Sequence, residues 1–146
     1  MSEFRPVSDR FLASPQIAVG DIAEARALGV TLVVNNRPEG EAPDQTSGAD
    51  IAEAARAAGL DYRAIPVDHT GLSATQVDQM ADALAAAEGK VLAYCRSGTR
   101  STLLWALACA SRGEDPEAIA RAAAAAGYDV GPVRAAMEQL AARSAD

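Results

Sequence analysis

A cysteine with an arginine five places beyond it and a glycine between them is the group in this chain best suited to covalent chemistry. The three lie in the run Val91-Leu92-Ala93-Tyr94-Cys95-Arg96-Ser97-Gly98-Thr99-Arg100-Ser101. An apolar strand delivers Cys95, a short polar loop follows, and an apolar helix is predicted over Ser101–Ser111. Gly98 tolerates the positive φ that a tight loop needs, so the backbone N–H groups of Arg96, Ser97, Gly98, Thr99 and Arg100 can curl around one point. The helix presents its unpaired N-terminal amides to the same point. A cysteine there is expected to be held as the thiolate, the form that attacks electrophiles. Arg100 adds a forked, permanent charge suited to a tetrahedral oxyanion. Ser101 can donate its hydroxyl to the thiolate. Arg96 is expected at the pocket rim, attracting anions without touching the sulfur. Strand, Cys, Gly, Arg and helix in this order make Cys95 the expected nucleophile rather than a buried structural thiol.

Positioning these groups takes a strand that ends at Cys95 and neighbours that run parallel to it. Lys90–Tyr94 is that strand. Val30–Val34 is a continuous β-branched apolar run, hence a central strand buried on both faces. Tyr62–Val67 is a further strand, and Pro66 places it near an edge or at a strand end. Ser14–Val19 reads as an opening strand or turn. Helices are predicted over Asp21–Leu28 and Ala49–Ala58, stopped by Gly29 and Gly59. Another runs from Ser73 to Glu88, with Gln76 completing a capping box. Asp115-Pro116 starts a helix that reaches Ala126, and a last helix spans Pro132 to about Arg143. Asn36–Gly48, polar and rich in Pro and Gly, is a long surface loop. Alternating strands and helices predict an α/β fold, a central, mostly parallel sheet flanked by helices. Ligands of such sheets gather at the carboxyl ends of the strands, where Cys95 stands. Arg37 follows the Val30–Val34 strand at the same end. It either reaches a substrate anion or pairs with Glu39 or Glu41.

With 146 residues and 49% apolar content, the chain is expected to be one compact domain with a real core. A net charge of −7 argues against nucleic acid or an anionic membrane surface as the main partner. It does not exclude an anionic substrate, because local amides and arginines set the field inside a pocket. Met1–Ser8 lacks a hydrophobic secretory core, and no apolar stretch is long enough to cross a bilayer, so a cytoplasmic location is expected. The two cysteines are not expected to pair. Cys109, among Leu107, Ala108 and Ala110, reads as a small buried apolar residue, and Leu104, Trp105 and Tyr94 read as core. One histidine and two separated cysteines do not make a zinc site. No metal or other cofactor is expected.

The stretch Cys95–Ser101 resembles the active-site loop shared by rhodanese-type sulfurtransferases and cysteine phosphatases. The wider chain resembles the phosphatase-like domain of the beta-lactamase hydrolase-like family, which is found fused to metallo-β-lactamase-type proteins. Gly29–Gly40, Tyr62–Asp68 and the helix Ser73–Glu88 carry that likeness. The resemblance implies a cysteine-phosphatase-like fold of the dual-specificity type and a metallo-β-lactamase-type dioxygenase as a partner. It also places Asp68 where the family has the acid that protonates a leaving oxygen and later activates water. From the residues alone, Asp68 equally caps the turn before Ser73. His69, the only histidine, is a substrate contact, an acid–base helper or simply a solvated loop residue. Tyr94 stands where many phosphatases have a histidine.

The loop departs from the phosphatase pattern in length. Phosphatase loops resemble Cys-x5-Arg, whereas four residues separate Cys95 from Arg100. A ring one residue shorter is narrower. Rhodanese-type loops share this length, and their cysteine carries one extra sulfur as a persulfide. The expected function is therefore sulfur transfer: Cys95 attacks a small anionic sulfur donor such as thiosulfate and passes the sulfur to a thiol acceptor or cyanide. The alternative is a phosphatase that acts on a phosphoester substrate through a Cys95 thiophosphate. A non-catalytic anion-binding module is least favoured, because both Cys95 and Arg100 are intact.

Overall fold

A computed structural model describes residues 3–68 and 70–144. Five strands form one sheet: β1 (Arg5–Ser8), β2 (Phe11–Ser14), β3 (Val30–Asn35), β4 (Asp61–Ala64) and β5 (Lys90–Tyr94). Their order across the sheet is β1-β2-β5-β3-β4. Only the β1–β2 pair is antiparallel; β2, β5, β3 and β4 run parallel, as the alternating pattern predicts. The interior strands are apolar on both faces because both faces are covered. Phe11, Ala13, Leu32, Val34, Val91 and Ala93 point into one core, and Leu12, Val33, Leu92 and Tyr94 into the other.

Helices α1 (Asp21–Ala27) and α2 (Gly48–Ala57) cover the second face. The first is covered by α3 (Ala74–Ala86), α4 (Thr99–Ser111), α5 (Pro116–Ala125) and α6 (Arg134–Ser144). A 3-10 turn, Gly131–Val133, leads into α6 where the sequence predicts continuous helix from Pro132. The predicted capping box is formed: Ser73 Oγ accepts from the Gln76 amide at 3.2 Å, and Gln76 Oε1 accepts from the Ser73 amide at 2.7 Å.

Two expectations need correction. Ser14–Val19 leads by bends and a turn into α1 rather than forming a strand, and an Arg5–Ser14 hairpin that the sequence did not suggest precedes it; its strands are four residues each and the register breaks between Pro6 and Ser8, so no clean period marks them. The strand predicted over Tyr62–Val67 is regular only to Ala64. Its ladder nevertheless continues, with the Ile65 and Val67 amides donating to the Asn35 and Asn36 carbonyls at 2.9 Å. Pro66, which has no N–H, falls between these two donors on the open edge of the sheet, where a proline costs no ladder bond.

α4 is the helix that carries the loop arginine, and it packs on β2, β5, α3, α5 and α6 at once. A helix enclosed on all sides must be apolar all round, and Ser101, Thr102 and every residue from Leu104 to Ala110 are buried. Trp105 stacks on Phe11 of β2, ring centroids 5.3 Å apart. Leu104 is fully buried in this layer. Leu104→Ala is therefore expected to lower unfolding free energy by about 2–5 kcal/mol through lost transfer energy and a residual cavity. Urea denaturation checks this, and a loss below about 1 kcal/mol would mean α4 is not the packing centre of this face.

Candidate active site

Cys95 follows β5 directly and is 0% exposed. Its own amide donates to the Ser14 carbonyl at 3.3 Å, which ties the cysteine to the end of β2. The Gly98 amide donates to Cys95 Sγ at 3.1 Å. Gly98 has φ 94° and ψ −11°, a left-handed conformation that only glycine adopts without strain, and it caps α4. The helix begins at Thr99, two residues earlier than predicted.

The early start changes two predicted roles. Ser101 lies inside the first helical turn, and its Oγ is buried without a hydrogen-bond partner among the described residues instead of donating to Cys95. Thr102 is the residue that bonds back to the loop, through its Oγ1 to the Gly98 carbonyl at 2.9 Å. The ring of amides is also less complete than the sequence suggests. The Thr99 N–H turns to Ser97 Oγ at 3.3 Å, and the Ser97 hydroxyl donates to Thr99 Oγ1 at 3.0 Å. Ser97, Thr99 and Arg96 are exposed, the last as expected for a rim residue.

Arg100 is bonded to a residue that the sequence offers only as a partner of Arg37. Its Nη1 donates to Glu41 Oε2 at 2.7 Å and its Nη2 to Glu41 Oε1 at 2.9 Å. Nη1 also donates to the Val67 carbonyl at 2.6 Å. These bonds use three of the five guanidinium N–H groups. The Nε–H and the second Nη2–H lie along one edge of the group, and the Arg100 side chain also interacts with Cys95. Arg37, 5% exposed, donates through Nε to Glu41 Oε1 at 2.9 Å and through Nη1 to Gln16 Oε1 at 3.0 Å. Arg37 therefore pairs with Glu41 and stands at the site as well.

The loop that brings Glu41 here is rooted inside the protein rather than lying wholly on its surface. Asn36 and Arg37 are buried, and the Asn36 side-chain amide donates to the Ile65 carbonyl at 2.9 Å. Further along, Gln45 donates to the Pro38 carbonyl and accepts from the Glu41 amide. Opposed arginines hold the Glu41 carboxyl at a pKa of about 2 against an ordinary 4.5. The Arg100 hydrogen bond is the largest cause, burial pulls the other way, and Arg37 adds to the lowering. The i,i+4 spacing of Arg37 and Glu41 is readable in the sequence; a contact with an arginine 59 residues away is not.

Asp68 follows Val67, so the Arg100–Val67 bond sets it beside the Cys95 loop. It is exposed, and its Oδ1 accepts from the Thr70 amide at 2.9 Å and the Thr70 hydroxyl at 2.5 Å, the turn-capping bonds the sequence allows. His69 lies outside the described residues. Tyr94 is core, as predicted, and its buried hydroxyl has a pKa pushed up mainly by burial, with Tyr62 adding to the rise. Cys109 lines a hollow with Arg10, Trp105 and Arg112 at the opposite, amino-terminal end of β5. Burial raises its pKa, which suits a packing role.

A fully enclosed cysteine at the carboxyl end of a parallel strand, beside a forked arginine on the next helix, sits in an α/β fold of the cysteine-phosphatase-like class. Residues 3–112 match the family described as the phosphatase-like domain of beta-lactamase hydrolase-like proteins, and the chain belongs to that family. A beta-lactamase hydrolase-like protein of Xylella fastidiosa is 35% identical over 101 residues, 69% of this chain, and its counterpart in Agrobacterium fabrum is 34% identical over the same length. The match spans 23% of the length of each of these relatives. Among solved structures, a candidate phosphatase from Neisseria meningitidis is 30% identical, with a TM-score of 0.79 over 93% of this chain and 96% of its own. PTPMT1 shares the fold at 16% identity, with a TM-score of 0.74 over 98% of this chain and 99% of its own. No helix among the described residues is long and apolar enough to cross a membrane.

The Glu41 link has a pH signature. Its folded pKa of about 2 lies below the ordinary 4.5, so the link contributes stability above about pH 4.5 and loses it as pH falls through about 2. Melting temperatures measured across that window should decline less steeply in Glu41→Gln than in the parent. Parallel declines would remove this carboxylate from the acid sensitivity of the fold.

Proposed function

We propose that the chain is a cysteine-dependent phosphatase. The observation that carries this reading is the Arg100–Val67 bond, which ties the backbone just before Asp68 to the arginine of the Cys95 loop. Membership of a phosphatase-like family and the likeness to the Neisseria candidate phosphatase support it. In the first step Cys95 Sγ attacks phosphorus, an S–P bond forms and the P–O bond to the leaving group breaks. The departing oxygen takes its proton from Asp68. In the second step water attacks phosphorus, Asp68 accepts a proton from that water, and the S–P bond breaks to release phosphate and the thiolate. The Nε–Nη2 edge of Arg100 holds two phosphoryl oxygens, while Glu41 and Val67 keep the guanidinium in place. Arg37 adds positive charge behind Glu41.

The Cys-x4-Arg spacing favours a second reading, sulfur transfer. In it the Cys95 thiolate attacks the outer sulfur of thiosulfate, the S–S bond breaks with sulfite leaving, and the persulfide gives its sulfur to a thiol or cyanide. That route has no role for Asp68, since sulfite leaves without a proton. The two readings therefore part at Asp68.

Parallel assays with an aryl phosphate and with thiosulfate plus cyanide distinguish them. Cys95→Ser should abolish aryl phosphate turnover, and Arg100→Lys, which keeps charge but loses the fork, should lower it about 10-fold or more. Asp68→Asn should lower it by about 100-fold for poor leaving groups and far less for good ones. Thiosulfate turnover without phosphate release, with a gain of one sulfur atom at Cys95 by intact mass and no effect of Asp68→Asn, would put sulfur transfer first.

A further inference from the structure

We infer that Tyr128, which lies beyond the 3–112 region shared with the family, is the positioning residue that aims the Gly98 amide at Cys95. The Gly98 N–H and the Ser97 carbonyl are the two ends of a single peptide group. The N–H donates to Cys95 Sγ at 3.1 Å, and the carbonyl accepts from the Tyr128 hydroxyl at 3.3 Å. In a planar trans peptide these two bonds point in opposite directions, so anchoring the oxygen fixes the direction of the N–H. The anchor matters here because Gly98 sits at φ 94°, where glycine has wide backbone freedom. A hydrogen bond into the carbonyl also polarises the peptide and makes its N–H a better donor.

Tyr128 is itself held. It is 7% exposed, and a Cβ added to Gly98 would come within 2.9 Å of its Cζ, so glycine is what admits the ring against the loop. On β1, the Arg5 guanidinium lies 5.3 Å from the Tyr128 ring centroid and donates to the Ala126 carbonyl at 3.4 Å. Burial, partly offset by Arg5, raises the phenol's pKa, which keeps its proton in place as the donor. A residue following α5 and a cation from the first strand thus converge on the peptide that faces the nucleophile.

The inference rests on Cys95 as nucleophile, and it is tested without a phosphoester or sulfur donor, so an inactive phosphatase and an inert Tyr128 are separate failures. Tyr128→Phe keeps the ring and removes the hydroxyl. Alkylation of Cys95 by iodoacetamide, followed by peptide mass, is expected to slow about 3- to 10-fold, the worth of one net hydrogen bond. Amide exchange supplies the second readout: Gly98 should lose protection while Thr102, whose amide donates to the Gly98 carbonyl at 3.0 Å, keeps it. Arg5→Gln, a surface change that frees the ring, should move both readouts in the same direction by less. An unchanged Cys95 rate in folded Tyr128→Phe, or equal loss of protection at Gly98 and Thr102, overturns the positioning role and leaves Tyr128 as packing.

Discussion

The burial of α4 from every side is the constraint from which the site follows. A helix wedged between β2, β5, α3, α5 and α6 has one depth and one rotation that fill its surroundings. Its amino end is therefore fixed relative to the end of β5, and the residues between Cys95 and Thr99 must bridge a set gap. A left-handed glycine closes it. The same turn directs an amide at the sulfur, so the packing of an apolar helix and the environment of the Cys95 thiol are two results of one geometry.

The charges at the site are arranged so that none is isolated. Arg100 is partly buried and Arg37 almost wholly so, and the carboxylate of Glu41 bridges them. Two cations drawn together repel unless an anion lies between them. The bridge also divides the Arg100 donors by direction: the end of the guanidinium is bonded to Glu41 and Val67, and the Arg100 side chain also interacts with Cys95. Glu41 reaches this place because the Asn36–Ser47 loop is fastened at its root by buried asparagines and further along by Gln45. In acid the Glu41 carboxyl stays ionised longer than an ordinary glutamate because the arginines favour its charged form.

Support for the loop comes from both ends of the chain. The β1–β2 hairpin supplies Arg5 and the Ser14 carbonyl, and the turn after α5 supplies Tyr128. These elements carry no nucleophile or oxyanion fork. Their contribution is to hold a peptide plane and a strand end where the reacting atoms need them, and in the parallel sheet that work falls at the same edge as the chemistry.

Much of this was written in local pattern. The α/β alternation, the buried strands Val30–Val34 and Lys90–Tyr94, the capping box at Ser73, Cys95 and Arg100 at the two ends of one short loop, and Gly98 as the pivot all follow from residues near one another. Such features depend on short-range propensity and hydrophobic period, which a sequence displays directly. The hairpin was too short to show a period. Which way Ser101 faces, where the Thr99 amide turns, and that Glu41 and Tyr128 join the site depend on contacts between residues 31 to 59 positions apart or on a two-residue shift of a helix start. Side chains distant in sequence meet only once helices and sheet have packed, and packing, unlike propensity, is a property of the whole chain at once. Sequence therefore determined the strand-end cysteine, its arginine and the layers that hold them. Tertiary structure alone decided which carboxylate locks the arginine and which hydroxyl orients the amide at the sulfur, because both are bonds between distant segments.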